Sequence, residues 1–135
     1  MRYLLDTNIC IYLLQAHPPQ VVQRFKTTLL GDVLMSVVTY AELCHGVERC
    51  TGRDRDVAAQ ALARLILRIP VLAFENNAAQ SYGRLAAALS GGRRDALDRL
   101  IAAHAISAGL TVVTNNEADF KDYPGLKLEN WVASS

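Results

Sequence analysis

The stretch Tyr3-Leu4-Leu5-Asp6-Thr7-Asn8-Ile9-Cys10-Ile11-Tyr12-Leu13-Leu14 changes character at a single residue, Asp6. Ahead of it, a short apolar run reads as a buried strand. Behind it, Thr7 or Asn8 can cap a helix that continues through Leu14. A strand that ends on a carboxylate and turns directly into a helix is the repeating unit of an α/β sheet, and the rest of the chain repeats the alternation.

Working outward, Pro18 and Pro19 break the first helix, and Pro19 suits the first turn of a second one running to about Leu30. Gly31-Asp32 then turns the chain into Val33-Leu34-Met35-Ser36, a second buried strand. Thr39 is the expected cap of a helix carrying Tyr40, Leu43, Cys44 and Val47 at helical spacing. Further helices are predicted over residues 55–67, 78–89 (stopped by Gly91-Gly92) and 95–108 (ended by Gly109), with strands over 70–74, 110–114 and 126–128. The strands are continuously apolar rather than alternating. They therefore belong to a mainly parallel sheet covered on both faces, a three-layer α/β/α arrangement. In the helix over 95–108, Leu97, Leu100, Ile101, His104, Ala105 and Ala108 form a stripe predicted to face the sheet, with Asp98 at its margin and Asp95 toward solvent.

The 135 residues fit one domain over 1–135, and 51% hydrophobic with 20% charged residues is a globular balance. A net charge of +1 argues against a partner held by bulk charge alone. It is compatible with a nuclease, whose acidic site cancels basic residues elsewhere. The three cysteines, Cys10, Cys44 and Cys50, show no CxxC spacing and read as small hydrophobes in a reducing compartment. Asp6 and Asn8 interrupt the apolar N-terminus, which has neither signal-peptide nor membrane-span character, so a cytoplasmic protein without membrane attachment is expected.

Ligands of parallel sheets collect at the carboxyl ends of the strands. Three acids are placed there: Asp6 after the first strand, Glu42 in the opening turn of the helix after the second, and Asp98 in the helix before 110–114. Singly, each has an ordinary explanation: a helix cap, a first-turn charge, a solvated residue beside an apolar stripe. Converging at one sheet edge, they repel one another, and a hard divalent cation with oxygen ligands offsets that repulsion. Such a site polarises a phosphodiester and activates water. Rival uses of a strand-end aspartate fit poorly. A haloacid-dehalogenase-type phosphatase needs a second Asp where Asn8 stands, and a response-regulator receiver needs an acidic pair where Arg2 to Leu5 stand. His17 lies in a loop, His45 has no ligand-spaced partner, and His104 reads as a satisfied core histidine. No GxSxG elbow or glycine-rich phosphate loop occurs.

Four ordered segments resemble the motifs of VapC toxins: Leu5-Asp6-Thr7-Asn8, residues 36–43 (SVVTYAEL), residues 98–105 (DRLIAAHA) and residues 114–120 (TNNEADF), with Leu128-Glu129-Asn130-Trp131 at the end. The resemblance implies a PIN fold and an endoribonuclease dependent on Mg²⁺ or Mn²⁺. It also implies a translation-related substrate such as tRNA, a VapB-type antitoxin partner, a homodimer, and a larger toxin–antitoxin assembly. Asp6 and Asp98 would bind the metal directly, and Glu42 directly or through water while helping to activate the attacking water. Thr7, Asn8, Thr114 and Asn116 would hold the carboxylates and order water. Two departures stand out. A proline- and glycine-containing segment is replaced by Arg93-Arg94-Asp95-Ala96-Leu97, whose arginines are either solvated or in contact with RNA phosphates. The fourth acidic position is Asn116, a catalytic candidate through water orientation, with Glu117 and Asp119 as alternatives for the charge. The rival expectations are a PIN nuclease of RNA processing or DNA repair, and a non-catalytic interaction module with a relic acidic cluster.

Overall fold

A computed structural model describes residues 2–89 and 96–133 of the chain. In chain order the elements are β1 (Tyr3–Leu5), α1 (Thr7–Gln15), α2 (Pro19–Lys26), β2 (Val33–Ser36), α3 (Val37–Glu48), α4 (Gly52–Arg68), β3 (Val71–Leu72), α5 (Asn76–Ala88), α6 (Ala96–Ala108), β4 (Thr111–Val113) and β5 (Lys127–Glu129). The strands form one parallel sheet in the order β3-β2-β1-β4-β5. The strand order reverses at β1, so the crevice between the ends of β1 and β4 is where a parallel sheet opens to a ligand.

Helices cover both faces. On one, Leu5, Val33, Met35 and Val113 pack with Ile9, Val21, Leu43, Leu62 and Leu65 of α1 to α4. On the other, Leu4, Leu34 and Val112 pack with Leu85, Ile101, Ala102 and Ala105 of α5 and α6. Adjacent residues of one strand thus enter opposite cores, which is why the strands read as unbroken apolar runs. Among the described residues, no helix is long and apolar enough to cross a membrane.

Several element boundaries differ from expectation. Asp6 itself caps α1, accepting from the Ile9 N–H, in place of Thr7 or Asn8. Ser36 is both the last residue of β2 and the cap of α3, accepting from the Val38 N–H, so Thr39 lies buried inside the helix and Glu42 falls in its second turn. The second helix stops at Lys26 because the hydroxyls of Thr27 and Thr28 donate to the Arg24 and Phe25 carbonyls. The strand expected over 70–74 shrinks to Val71–Leu72. The expected stripe on α6 is also too narrow. Arg99, Ala102 and Ala103 are buried with Ile101, His104 and Ala105, while Leu97 and Ala108 are exposed, because α5 covers the flank that a surface helix would leave open. The predicted stop at Gly91-Gly92 and the expectations for Arg93, Arg94 and Asp95 fall outside the described residues.

Candidate active site

Asp6 leaves β1 at the switch point, its backbone N–H donating to the Val113 carbonyl of β4 at 3.0 Å. The carboxylate is buried, only 5% exposed. Burial pushes its pKa above the ordinary carboxylate range and the charge of Glu42 adds to the rise; hydrogen bonds from Thr114, Ile9 and Asn8 offset only part of it. The Thr114 hydroxyl that serves Asp6 accepts in turn from the Asn116 N–H at 3.0 Å.

Glu42 reaches the same place from α3. Thr7 donates its hydroxyl to Glu42 Oε1 at 2.6 Å and lies 3.4 Å from the Thr39 hydroxyl. One hydroxyl hydrogen serves one strong acceptor, and the short charge-assisted contact takes it. The capping threonine of the sequence reading is therefore a clamp on the second acid. Asp98, half-buried in the first turn of α6, completes the set; a helix N-terminus favours its charge.

These three carboxylates line one open pocket of about 390 Å³ with Thr7, Asn8, Ile11, His45, Arg49 and Leu97. The structure thus brings Asp6, Glu42 and Asp98 together from three elements. Asn116 is not in the lining: it is exposed, its amide donates to Asp119, and its link to the pocket runs through its backbone and Thr114. Arg49 and Ile11 were not singled out from the sequence. Arg49 had an available signal, since positions 42, 45 and 49 advance along α3 by three and four residues and share a face.

Among the described residues, no three acidic, histidine or cysteine side chains stand close enough to enclose a metal ion unaided. The donors still suit Mg²⁺, which is bound through one or two carboxylates and keeps several waters. A buried carboxylate pushed upward by burial and by a second acid is a group that a cation relieves on both counts.

His104 is elsewhere, as expected of a core histidine. It is buried between Ser36 and the Ala73 carbonyl, 2.8 Å from Ser36 Oγ at Nδ1 and 3.0 Å from the carbonyl at Nε2, with Phe74 edge-on to the ring. The carbonyl only accepts, so Nε2 carries the hydrogen and Nδ1 accepts from Ser36. Cys10 is buried and its thiol is pushed up by burial, and all three cysteines are free.

Comparison with known proteins bears on the family and the fold. The PIN domain family model matches residues 3–126. The chain is 36% identical over 133 residues to the tRNA(fMet)-specific endonuclease VapC of Shigella flexneri, covering 97% of this chain and 98% of that protein. It is 35% identical over 134 residues to ribonuclease VapC2 of Haemophilus influenzae, covering 98% and 99%. The fold also recurs in a chain of the DNA-bound VapBC structure from Salmonella typhimurium, with a TM-score of 0.85 at 32% identity over 97% of this chain and 98% of that one. The chain belongs to the PIN-domain family, among its VapC ribonucleases.

Proposed function

We propose that this chain is a cytoplasmic toxin that cuts translation-related RNA, tRNA first among the candidates, with Mg²⁺ or Mn²⁺ held by Asp6, Glu42 and Asp98, and that a VapB-type antitoxin neutralises it. The observation that carries the reading is the meeting of these three acids in one pocket at the switch point of the sheet. The Shigella relative is named for action on tRNA(fMet), and the Salmonella structure is a VapBC complex; both support the substrate class and the partner. A homodimer within a larger assembly belongs to the same reading.

A bound divalent cation would supply charge neutralisation and polarise the scissile phosphodiester. The chain's own residues do the rest. Asp6 is fixed by three donors, so its carboxylate is preorganised on the pocket floor. Thr7 holds Glu42 Oε1, and Glu42 takes the proton lost by the attacking water through its other oxygen. Asp98 closes the far side from α6. Asn116 acts from outside the lining, supporting Thr114 through its N–H.

EDTA should abolish RNA cleavage, Mg²⁺ or Mn²⁺ should restore it, and Ca²⁺, larger and looser in geometry, should restore it poorly. Asp98→Asn should be inactive with its fold intact. Cleavage that persists in EDTA would sink the metal assignment. Expression should arrest growth and a co-expressed antitoxin from the adjacent gene should relieve it. Harmless expression of active enzyme would instead assign the chain to RNA processing or DNA repair.

A further inference from the structure

A pocket floored by carboxylates repels the RNA it must bind, and the charge that attracts the backbone has to come from the rim. On α3, Glu42, His45 and Arg49 all line the pocket. Arg49 is exposed, and a Cβ placed on Gly46 would lie 3.8 Å from Arg49 Nη2, so the guanidinium folds back over the preceding turn of α3. Gly46 is four residues beyond Glu42 and has no side chain to stand between the acid and the cation. Among the described residues, the ion pairs engage Arg24 with Glu129 and Arg55 with Glu48, and neither involves Arg49.

We propose that Arg49 is an RNA-backbone contact of this site: its guanidinium takes a phosphate flanking the scissile one and holds the strand along the α3 rim above Glu42. The proposal rests on the ribonuclease reading of the pocket. Guanidinium suits the task because its planar fork can grip two phosphate oxygens at once and is always charged. Its position sets it apart from solvated surface arginines, since it borders the reacting groups and, among the described residues, forms no ion pair with an acid.

The test uses the full chain and a fluorescein-labelled single-stranded oligoribonucleotide, with Asp98→Asn as the background for binding so that the probe stays intact. Arg49→Ala should weaken binding on the order of five- to tenfold and flatten the dependence of log Kd on log salt by about 0.7, the share of one phosphate contact. Arg49→Lys should keep the salt slope, and Arg64→Ala, on α4 away from the pocket, should move neither quantity. In turnover with all three carboxylates present, Arg49→Ala should raise KM and leave kcat within about twofold. Arg49 also ends α3, and a loss of helix stability alone would not change the salt slope. Unchanged affinity and slope would overturn the proposal, as would a fall in kcat at unchanged RNA binding, which would make Arg49 a partner of the carboxylates. The two readings fail separately. A wild type that binds RNA through Arg49 without cutting it would keep the contact and remove the nuclease, and a wild type that cuts, with Arg49→Ala indistinguishable from it, would remove the contact alone.

Discussion

Two polar clusters sit at the carboxyl ends of the strands, and they solve opposite problems. In the Ser36–His104–Ala73 bridge every donor meets an acceptor: the Val38 N–H to Ser36, Ser36 to Nδ1, Nε2–H to the carbonyl. Burial lowers the pKa of His104, so the ring stays neutral and the bridge carries no charge. In the Asp6–Glu42 cluster the donors present do not balance the charges: Asp6 is buried, faces a second acid, and is pushed upward despite three hydrogen bonds. A satisfied buried network specifies a structure, whereas a frustrated one implies a ligand that completes it. The first joins β2, α6 and the end of β3 into a rigid frame, and the second uses that frame to hold acids from three elements at one spot.

The largest expected effect separates the clusters by what they do. Asp6→Asn keeps the cap on α1, because asparagine caps as well as aspartate, and removes one charge from the pocket. Cleavage at saturating Mg²⁺ should fall at least about 10²- to 10³-fold. The thermal midpoint in EDTA should stay level or rise, since a buried charge that the fold holds at a disadvantage is gone. A lower midpoint with cleavage intact would reduce Asp6 to a helix cap and erase the contrast.

The second prediction inverts the first. His104→Ala removes a buried ring and orphans both Ser36 and the Ala73 carbonyl, so unfolding in urea should show a loss of about 2–4 kcal/mol. Cleavage measured at a temperature where the variant is folded should remain within a fewfold of wild type. Loss of cleavage without loss of stability would place His104 in the reaction rather than in the frame.

The same contrast explains what could be read from the sequence. The strands were legible because each is apolar on both faces, and Asp6 and Asp98 because each stands where a strand ends or a helix begins, whereas Glu42 lies a turn further into its helix than expected. The start of α3 was not, because β2 passes into it without a loop. The β-branched Val37 and Val38 have weak helix propensity and extend the strand pattern past Ser36, so Thr39 drew the cap assignment. The buried face of α6 is wider than the stripe because a helical wheel assumes one buried face, and whether a second helix will cover the other is a tertiary fact. In the pocket, the acids have a characteristic address in the chain, but Thr7 as a clamp on Glu42 joins residues 35 apart and is visible only once α1 and α3 are packed. Arg49 lies in plain view at helical spacing from Glu42, and only the pocket shows that this face of α3 borders the three carboxylates.

The smallest effect is the pH dependence of the bridge. His104 has its folded pKa below the ordinary 6.5, so on acidification the unfolded chain takes up the proton first. In that window the unfolded state binds more protons, and the free energy of unfolding therefore rises with pH. The stabilisation is fully present above pH 6.5 and is lost as pH falls from there toward the lower folded value. The slope has a ceiling of about 1.4 kcal/mol per pH unit for a single proton. Asp6 has the opposite sign: its raised folded pKa favours the native state at low pH and weighs against it as pH rises above 3.8. Urea midpoints measured in EDTA from about pH 7.5 to about pH 5.5 lie above most carboxylate titrations, and the difference between wild type and a variant without the ring isolates the histidine. Wild type should lose stability across that range, and His104→Gln, which cannot take up the proton, should start lower and stay flat over the interval assigned to the ring. A variant with the wild-type slope would mean that the slope does not come from the His104 ring, and that the bridge is no more neutral by design than the site beside it.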